Sequence, residues 1–296
     1  MKIAILASGG DAPGMNYVTY ECFMLAKKYG IELLGVKAGF KGLMNGEFIV
    51  LDEKVLEENK NFGGAIIKSS RCPEFHTEKA VKKATKHVAK MKIECLIIMG
   101  GDGSLKGAKE LIKHGVKVIF IPSTIDNDMD KTDYTLGFSS AVEACEEYVK
   151  LTQRTLNSLT RSGIYEVMGN KSGNIAEEVF KNSDSDYVVS QTSPLDYKTL
   201  VKSIKKNKKE TLSIILQEKT VNVIDFVKKL SSDTGRDFRF NIVGYLQRGW
   251  SPCKTEIKMA KAFSTLAIEC ARTHDFNNYI VIKNGKSIKS QLRETL

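Results

Sequence analysis

Three short clusters rich in glycine and aspartate, each directly after an apolar run, constrain this chain more than any other feature. They are Ser8–Asn16, Gly100–Ser104 and Pro122–Asp128. Glycine lets backbone N–H groups approach phosphate oxygens closely, and a helix N-terminus adds positive potential. Aspartates repel phosphate, so they fit a site where a divalent cation bridges the charges or where one carboxylate takes a proton from an attacking hydroxyl. Together the clusters predict phosphoryl transfer.

Apolar runs alternate with periodic segments through the first half of the chain, which predicts strands alternating with helices. This βα order predicts a mainly parallel sheet covered by helices on both faces, with ligands at the carboxyl ends of the strands. The predicted strands are Lys2–Ala7, Glu32–Val36, Cys95–Met99 and Val118–Pro122, and the predicted helices are Gly14–Tyr29, Glu78–Met91, Ser104–His114 and Ser139–Ser158.

A second α/β unit follows, and the chain then returns to a last helix and strand. The sequence therefore predicts an α/β fold of two Rossmann-like, three-layer domains with mainly parallel sheets and a cleft between them. We place the domains at 1–137 plus 252–296 and at 138–251. The predicted elements after the linking helix are strands Gly163–Met168, Tyr187–Gln191, Leu212–Gln217, Phe240–Tyr245 and Tyr279–Ile282, and helices Asn174–Phe180, Tyr197–Lys205, Val223–Ser231 and Glu256–Ala271.

Composition excludes several other classes of protein. No apolar run approaches the length of a membrane span, and six scattered cysteines without a C-x-x-C pair argue against a zinc site or a disulfide framework. The net charge of +10 comes mostly from lysines on helix faces, and no nucleic-acid-binding motif accompanies them. We therefore expect a cytoplasmic protein with no nucleic-acid or membrane partner.

Taken in order and spacing, the motifs closely resemble those of the bacterial type of 6-phosphofructokinase over almost the whole chain. The resemblance implies the phosphofructokinase fold, with a nucleotide-binding first domain and a second domain that binds fructose 6-phosphate and forms subunit contacts. It also implies a glycolytic homotetramer that uses ATP and Mg²⁺. The matching motifs are the three clusters, Ser69–Phe75, Thr132–Phe138, Glu166–Gly169, Glu218, Thr234–Arg236, Gln247–Gly249 and Ser251–Pro252.

The resemblance also implies a role for individual residues. Asp126 would be the general base, Thr124 would help hold the transferring phosphoryl group, and Asp102 and Asp128 would hold Mg²⁺. The implied nucleotide-binding residues are Gly10, Arg71, Cys72, Asp102, Gly103, Ser104 and Gly107. The implied sugar-phosphate residues are Thr124, Asp126, Met168, Glu218, Tyr245 and Arg248, with Arg161 and Arg239 reaching the 6-phosphate from a neighbouring subunit.

Two positions favour ATP as the phosphoryl donor, and several others depart from the family pattern. Pyrophosphate-dependent relatives typically carry aspartate and lysine where this chain has Gly103 and Ser123. A family arginine that neutralises transition-state charge is replaced by Asn170, and a substrate-binding histidine by Tyr245. The alternatives are a pyrophosphate-dependent or other sugar-phosphate kinase, and a catalytically weak regulatory paralogue.

Overall fold

The computed structural model describes residues 1–292. The last four positions of the predicted segment 252–296 lie outside these residues. Strands and helices alternate along the described chain, which confirms the predicted α/β class. The strands are β1 (Lys2–Ala7), β2 (Glu32–Val36), β3 (Phe48–Val50), β4 (Cys95–Gly100), β5 (Val118–Thr124), β6 (Leu136–Gly137), β7 (Ser162–Val167), β8 (Tyr187–Val189), β9 (Ser213–Gln217), β10 (Phe238–Ile242), β11 (Asn278–Lys283) and β12 (Lys286–Gln291).

The helices agree with the predicted ones to within a few residues, and several begin at a side-chain cap. Asp52, Thr77, Asp196 and Asn222 each accept a hydrogen bond from a backbone N–H in the first turn of the helix that they precede. The helices are α1 (Met15–Lys28), α2 (Gly39–Asn45), α3 (Glu53–Asn59), α4 (Glu78–Lys90), α5 (Asp102–Lys113), α6 (Phe138–Ser158), α7 (Asn174–Asn182), α8 (Tyr197–Lys206), α9 (Val223–Thr234), α10 (Leu246–Gly249) and α11 (Lys254–Arg272), with a 3-10 helix at Pro73–His76.

The chain divides into two compact units. Unit one contains Met1–Ile125, Met129–Ser139 and the chain from Arg248 onward, and unit two contains Asp126–Asp128 and Ser140–Gln247. The proposed domain limits at 137, 138, 251 and 252 stay a prediction.

Unit one is built on a sheet with the strand order β12-β11-β5-β4-β1-β2-β3, and β6 pairs with β5. The strands from β11 to β2 are parallel, whereas β3 and β12 add antiparallel edges. The central strands β1 and β4 are almost fully buried, as expected for parallel strands covered on both faces. Their side chains join those of α4 and α5 in one apolar core.

Unit two is built on a smaller, fully parallel sheet with the strand order β10-β7-β9-β8. Its core combines apolar side chains of β7, β8 and β9 with those of α8 and α9. Strand β10 lies two residues earlier in the sequence than predicted, because it pairs with β7 from Phe238 and the chain leaves the sheet before Gly244, whose φ is +57°. No helix within residues 1–292 is long and apolar enough to cross a membrane.

Candidate active site

The three glycine and aspartate clusters follow neighbouring strands of the unit-one sheet. Strand β4 pairs in parallel with β1 on one side and with β5 on the other. The carboxyl ends of these strands, Ala7, Gly100 and Thr124, therefore meet at one edge of the sheet. The N–H of Ser8 continues the ladder by donating to Met99 at 2.9 Å. The sheet brings the start of each cluster to the edge where parallel sheets bind ligands.

The first two clusters touch each other through the start of α5. Ser104 Oγ donates to the carbonyl oxygen of Ser8 at 3.1 Å. A Cβ atom on Gly100 would lie 2.4 Å from Ser104 Oγ, so only glycine fits there. A Cβ on Gly101 would lie 3.5 Å from the Cβ of Thr124, which brings the third cluster into the same group. By contrast, nothing lies within 4 Å of a Cβ added to the exposed Gly103.

Asp102 stands at the first position of α5, where its negative charge is favoured by the helix dipole. Its carboxylate is 59% exposed and forms an ion pair with Lys106, with 2.7 Å between Asp102 Oδ2 and Lys106 Nζ. This interaction raises the pKa of Lys106. Across residues 1–292, no three His, Cys, Asp or Glu side chains group into a ready cation cage. A nucleotide-bound Mg²⁺ does not need one, because one or two carboxylates, phosphates and water complete its shell. Asp102 therefore fits such an ion.

The segment before the 3-10 helix is tied to the first cluster. The N–H of Gly9 donates to the carbonyl oxygen of Ser70 at 3.0 Å. The next residues are Arg71, which is exposed, and Cys72, which packs partly against the core. Burial, reinforced by Glu74, raises the pKa of the Cys72 thiol to about 11, so the thiol stays protonated at neutral pH. Of the two, Arg71 is the side chain available to an anion.

Gly107 lies beneath an aromatic pair rather than on an open surface. The rings of Phe40 and Phe75 stack with their centroids 4.0 Å apart. A Cβ at Gly107 would lie 2.6 Å from Phe40 and 3.2 Å from Phe75. The structure thus gives Gly107 a packing role, and its predicted contact with a nucleotide stays a prediction.

Arg248 packs on the glycines of the first cluster. Its Nη1 donates to the carbonyl oxygen of Asp11 at 2.9 Å and lies 3.9 Å from the Asp11 carboxylate. A Cβ on Gly10 would lie only 2.1 Å from that same nitrogen. The Arg248 side chain is 17% exposed, so the guanidinium has a fixed place beside the end of β1.

In unit two, Met168 and Glu218 lie at the carboxyl ends of the parallel neighbours β7 and β9. The Met168 N–H donates to Oε1 of the buried Gln247 at 3.1 Å. Glu218 Oε1 accepts the N–H of Asn170 at 2.9 Å. Partial burial and the nearby Glu218 carboxylate raise the pKa of Glu166. The strand ends thus gather two of the predicted sugar-phosphate residues in an acidic setting.

Asn170, where the sequence analysis expects a departure from the family pattern, is held by a lysine. Lys219 Nζ donates to Asn170 Oδ1 at 2.8 Å. Both residues have a left-handed backbone, with φ of +51° for Asn170 and +66° for Lys219, which few side chains other than Asn adopt readily. A cation therefore still stands at this position, supplied by the neighbouring strand end.

The Asp126–Asp128 loop, which follows β5 in the chain, is fixed within unit two by the first residue of α7. Asn174 Nδ2 donates to the carbonyl oxygens of Asp126 and Asn127, at 3.2 and 2.7 Å. Asn127 has a φ of +48°. In unit one, Thr135 Oγ1 donates to the carbonyl oxygen of Thr124, the last residue of β5, at 2.7 Å. Within unit two, Asn174 therefore holds the backbone that carries Asp126.

Arg161 and Arg239 come together at the edge of the unit-two sheet. Arg161 Nε and Arg239 Nη2 each lie 3.0 Å from the same carboxylate oxygen of Asp237. Both side chains remain partly exposed. The last predicted sugar-phosphate residue, Tyr245, follows β10 and is 81% exposed. The two arginines form a double cation that one phosphate group could span.

Sequence reasoning assigned no role to Asp11, Asn174 or Lys219. Each acts through the fold: Asp11 and Asn174 hold Arg248 and the aspartate loop, and Lys219 reaches Asn170 across strand ends 49 residues apart in the chain. Of the three, only Asp11 carried a signal, because it lies within the first glycine and aspartate cluster.

Comparison with known proteins gives one consistent family. The family model described as Phosphofructokinase matches residues 2–271. "ATP-dependent 6-phosphofructokinase 1" of Clostridium perfringens is 36% identical over 298 residues, covering 100% of this chain and 93% of that protein. The ATP-dependent 6-phosphofructokinase of Thermotoga petrophila is 33% identical over 299 residues, covering 100% of this chain and 94% of that protein.

Solved structures agree on the fold. Pichia pastoris phosphofructokinase in the T-state superposes with a TM-score of 0.90 at 27% identity over 99% of this chain, which spans 35% of that longer chain. The pyrophosphate-dependent phosphofructokinase of Marinobacter aquaeolei superposes with a TM-score of 0.88 at 17% identity, over 99% of this chain and 83% of that one. At that identity the second match bears on the fold alone.

We predict that Gly10→Ala displaces the Arg248 guanidinium without unfolding the protein. The added methyl group collides with the end of a flexible side chain rather than with backbone. Loss of a charged hydrogen-bonding group costs about tenfold or more in affinity, so calorimetry should show weaker binding of the implied sugar phosphate. Gly103→Ala is the control for thermal stability, because its methyl group meets open space. Unchanged sugar-phosphate affinity in Gly10→Ala would show that Arg248 does not bind it.

We predict that Asn174 positions the aspartate loop. Asn174→Leu keeps the side-chain size but leaves two carbonyl oxygens without their donor. We expect kcat to fall about tenfold or more while KM for the nucleotide stays nearly constant, because a mobile loop misplaces the base. Asn182→Leu is the matched control, since it removes an amide that bonds Glu146 from the other end of the same helix. Equal losses of kcat in the two variants would contradict this role.

Proposed function

The chain belongs to the phosphofructokinase family, and we propose that it transfers the γ-phosphoryl group of MgATP to the 1-hydroxyl of fructose 6-phosphate. The products are fructose 1,6-bisphosphate and ADP, as in glycolysis. The observation that carries the proposal is the clamped aspartate loop: Asn174 fixes the backbone of Asp126 within the unit that also carries Met168 and Glu218. A carboxylate on a backbone that is fixed in this way suits a general base.

The proposed step needs few groups from the protein. The Asp126 carboxylate takes the proton of the sugar hydroxyl, whose oxygen forms a bond to the γ-phosphorus as the bond to the bridging oxygen breaks. The electron pair leaves with ADP. Thr124 holds the transferring group, and Arg248 and the glycine-lined start of α5 hold the anionic reactants. Catalysis then rests on positioning and on neutralising charge, as is general for phosphoryl transfer.

Asp102 and Asp128 are the proposed Mg²⁺ ligands. Both side chains are exposed carboxylates, and each follows a strand end at the ligand-binding edge of the sheet. This donor set suits a hard cation that keeps most of its shell for water and phosphate. When bound, Mg²⁺ would neutralise charge on the nucleotide phosphates. Lys106 would then exchange its partner Asp102 for phosphate or solvent.

ATP is favoured over pyrophosphate as the donor. The space beside Gly103 is open, which leaves room for the part of a nucleotide that an aspartate there would obstruct. Ser123 is buried and its hydroxyl donates to the carbonyl oxygen of Ile121, so no cation for pyrophosphate stands at that position. The clostridial and Thermotoga relatives are named ATP-dependent. In this proposal, 1–137 plus 252–296 binds MgATP and 138–251 binds the sugar phosphate.

We further propose that the active form is a homotetramer with shared sites. Strand β10 is an edge strand that pairs only with β7 in the described sheet. It exposes Phe240 by 42% and Ile242 by 53%, beside the Arg161 and Arg239 pair. Apolar side chains on an unpaired edge are typical of a surface that another copy covers. The arginine pair would then serve the site of the neighbouring subunit.

The test of the function is Asp126→Asn in a coupled assay with fructose 6-phosphate. We expect kcat to fall about 10²-fold or more, because amide cannot accept the proton, while the affinity for fructose 6-phosphate stays within about threefold. Asp130→Asn, an exposed aspartate four residues along, is the control and should keep its rate. A loss below tenfold would contradict the base role, and faster turnover with pyrophosphate than with ATP would overturn the donor assignment.

We also predict that Lys219 supplies the charge that Asn170 lacks. Lys219→Met should lower kcat about tenfold or more with little change in KM, since a stabilising cation is lost from the transition state. Lys219→Arg should retain most of the rate. Lys171→Met removes the exposed lysine adjacent to Asn170 and is the matched control. A larger loss of kcat in Lys171→Met than in Lys219→Met would assign the role to Lys171.

A further inference from the structure

A cavity of about 600 Å³ lies between α8 and α9 of unit two. None of the residues that line it has a role in the proposed phosphoryl transfer. Its volume falls within the range of small-molecule sites in proteins. Five lysines line it, four from α8 and one from α9: Lys198, Lys202, Lys205, Lys206 and Lys229.

The positive charge in this cavity is largely uncompensated. Asp233 is the one carboxylate among the residues that line it, and Asp233 pairs with Lys229 at 3.4 Å. Within residues 1–292, the four lysines of α8 form no ion pair shorter than 4.0 Å. Their spacing of four, three and one residues places them along one face of the helix. The five lysines of the cavity therefore face one lining carboxylate, and the four on α8 have no close ion-pair partner among the described residues.

Helix stability does not account for this arrangement. Lys205 and Lys206 stand in the last turn of α8, where the helix dipole favours positive charge. Lys198 stands in the first turn, where the dipole opposes it, and like charges four residues apart, such as Lys198 and Lys202, repel each other. A bound anion would offset both of these unfavourable terms, because it attracts the lysines and is itself favoured near the N-terminus of a helix.

The remaining lining residues hold a fixed geometry. The Tyr197 hydroxyl donates to Asp233 Oδ2 at 2.8 Å, and Lys229 Nζ lies 3.7 Å from the centroid of the Tyr197 ring. Burial, with a contribution from Asp233, raises the pKa of Tyr197 to about 12, so the hydroxyl remains a donor at neutral pH. Tyr197 and Val201 add an apolar surface beside the lysines. One side of the cavity is thus preorganised, and the other side carries the four lysines of α8.

We propose that this cavity binds a small polyanion with a chain of two or more phosphate groups. The α8 lysines extend over about 12 Å of helix, so a single phosphate reaches only some of them. Lysine binds phosphate as a point charge and tolerates several chain geometries. The chain could come from inorganic polyphosphate or from the tail of a nucleoside triphosphate, and both carry the same chemistry.

The test measures how far a bound polyanion protects individual lysines from chemical acetylation. The extent of acetylation at each lysine of the full chain is measured by mass spectrometry. Inorganic tripolyphosphate should lower the labelling of Lys198 and Lys202 at least threefold relative to Lys150 and Lys181, which are exposed elsewhere in unit two. Orthophosphate at equal ionic strength should protect far less. The proposal would be overturned if tripolyphosphate protected Lys150 and Lys181 as well as it protects Lys198 and Lys202. It would also be overturned if orthophosphate protected Lys198 and Lys202 as well as tripolyphosphate does.

A pair of variants checks the same site by affinity. In Lys198→Gln/Lys202→Gln, the tripolyphosphate concentration that half-protects Lys205 and Lys206 should rise at least fivefold, whereas Lys150→Gln/Lys181→Gln should leave it unchanged. Repeating the measurement with ATP identifies the source of the phosphate chain. If a lower concentration of ATP than of tripolyphosphate half-protects the lysines, the ligand is a nucleotide. If tripolyphosphate protects at the lower concentration, the ligand is free polyphosphate. Protection by single-stranded RNA but not by tripolyphosphate would refute a small-molecule site. These readouts do not depend on turnover, so they stand apart from the proposed kinase activity.

Discussion

The contact between Ser104 and the end of β1 is the constraint on which unit one depends. Ser104 Oγ donates to Ser8 across 96 residues of sequence, and it comes so close to Gly100 that no side chain fits there. This bond joins the ends of two neighbouring parallel strands and fixes the N-terminus of α5 over their edge. The position of Asp102, the open space at Gly103 and the approach to Thr124 follow from it. A buried hydroxyl without its acceptor would be costly, so the bond and the glycine stand together.

Unit two reaches a similar result with buried amides instead of a hydroxyl. Gln217, which is 1% exposed, donates to the carbonyl oxygen of Asn170 and accepts the N–H of Gln191, so it ties three loops at the ends of β7, β8 and β9. The buried Gln247 likewise accepts the backbone N–H of Met168 and fixes the end of β7. Buried polar groups that are fully paired favour one arrangement over its alternatives, because each competing arrangement leaves a group without a partner. The loops that carry Met168, Asn170 and Glu218 are therefore rigid where a ligand would meet them.

The sequence predicted the buried parallel strands and the long helices well, and it missed the short elements and the exposed antiparallel strand β12. Buried strands such as β1 and β2 match the prediction residue for residue, because a parallel strand covered on both faces is a continuous apolar run. Strand β3 and helices α2 and α3 were not predicted, since each is short and depends on tertiary pairing, as when Phe48 pairs with Val36. The same limit applies to the site. The glycines and aspartates that follow the strands are visible in the sequence as local motifs. Asn174 and Lys219 act instead through contacts between segments 47 to 49 residues apart, which no local motif shows.

The asparagine at position 170 has a physical reason in its surroundings. A left-handed backbone favours asparagine among residues with side chains, and Asn170 has a φ of +51°. The Asn170 side chain carries no charge, but Lys219 at the next strand end donates to its amide oxygen and so places a cation beside it. Lys219 itself takes a left-handed backbone to do so, a strain that persists only where the surrounding structure enforces it. Glu218, the residue before it, binds the N–H of Asn170 and thereby enforces the geometry. A neutral asparagine and a lysine cation thus stand side by side at these strand ends, which supports the proposal that Lys219 supplies positive charge to the reaction.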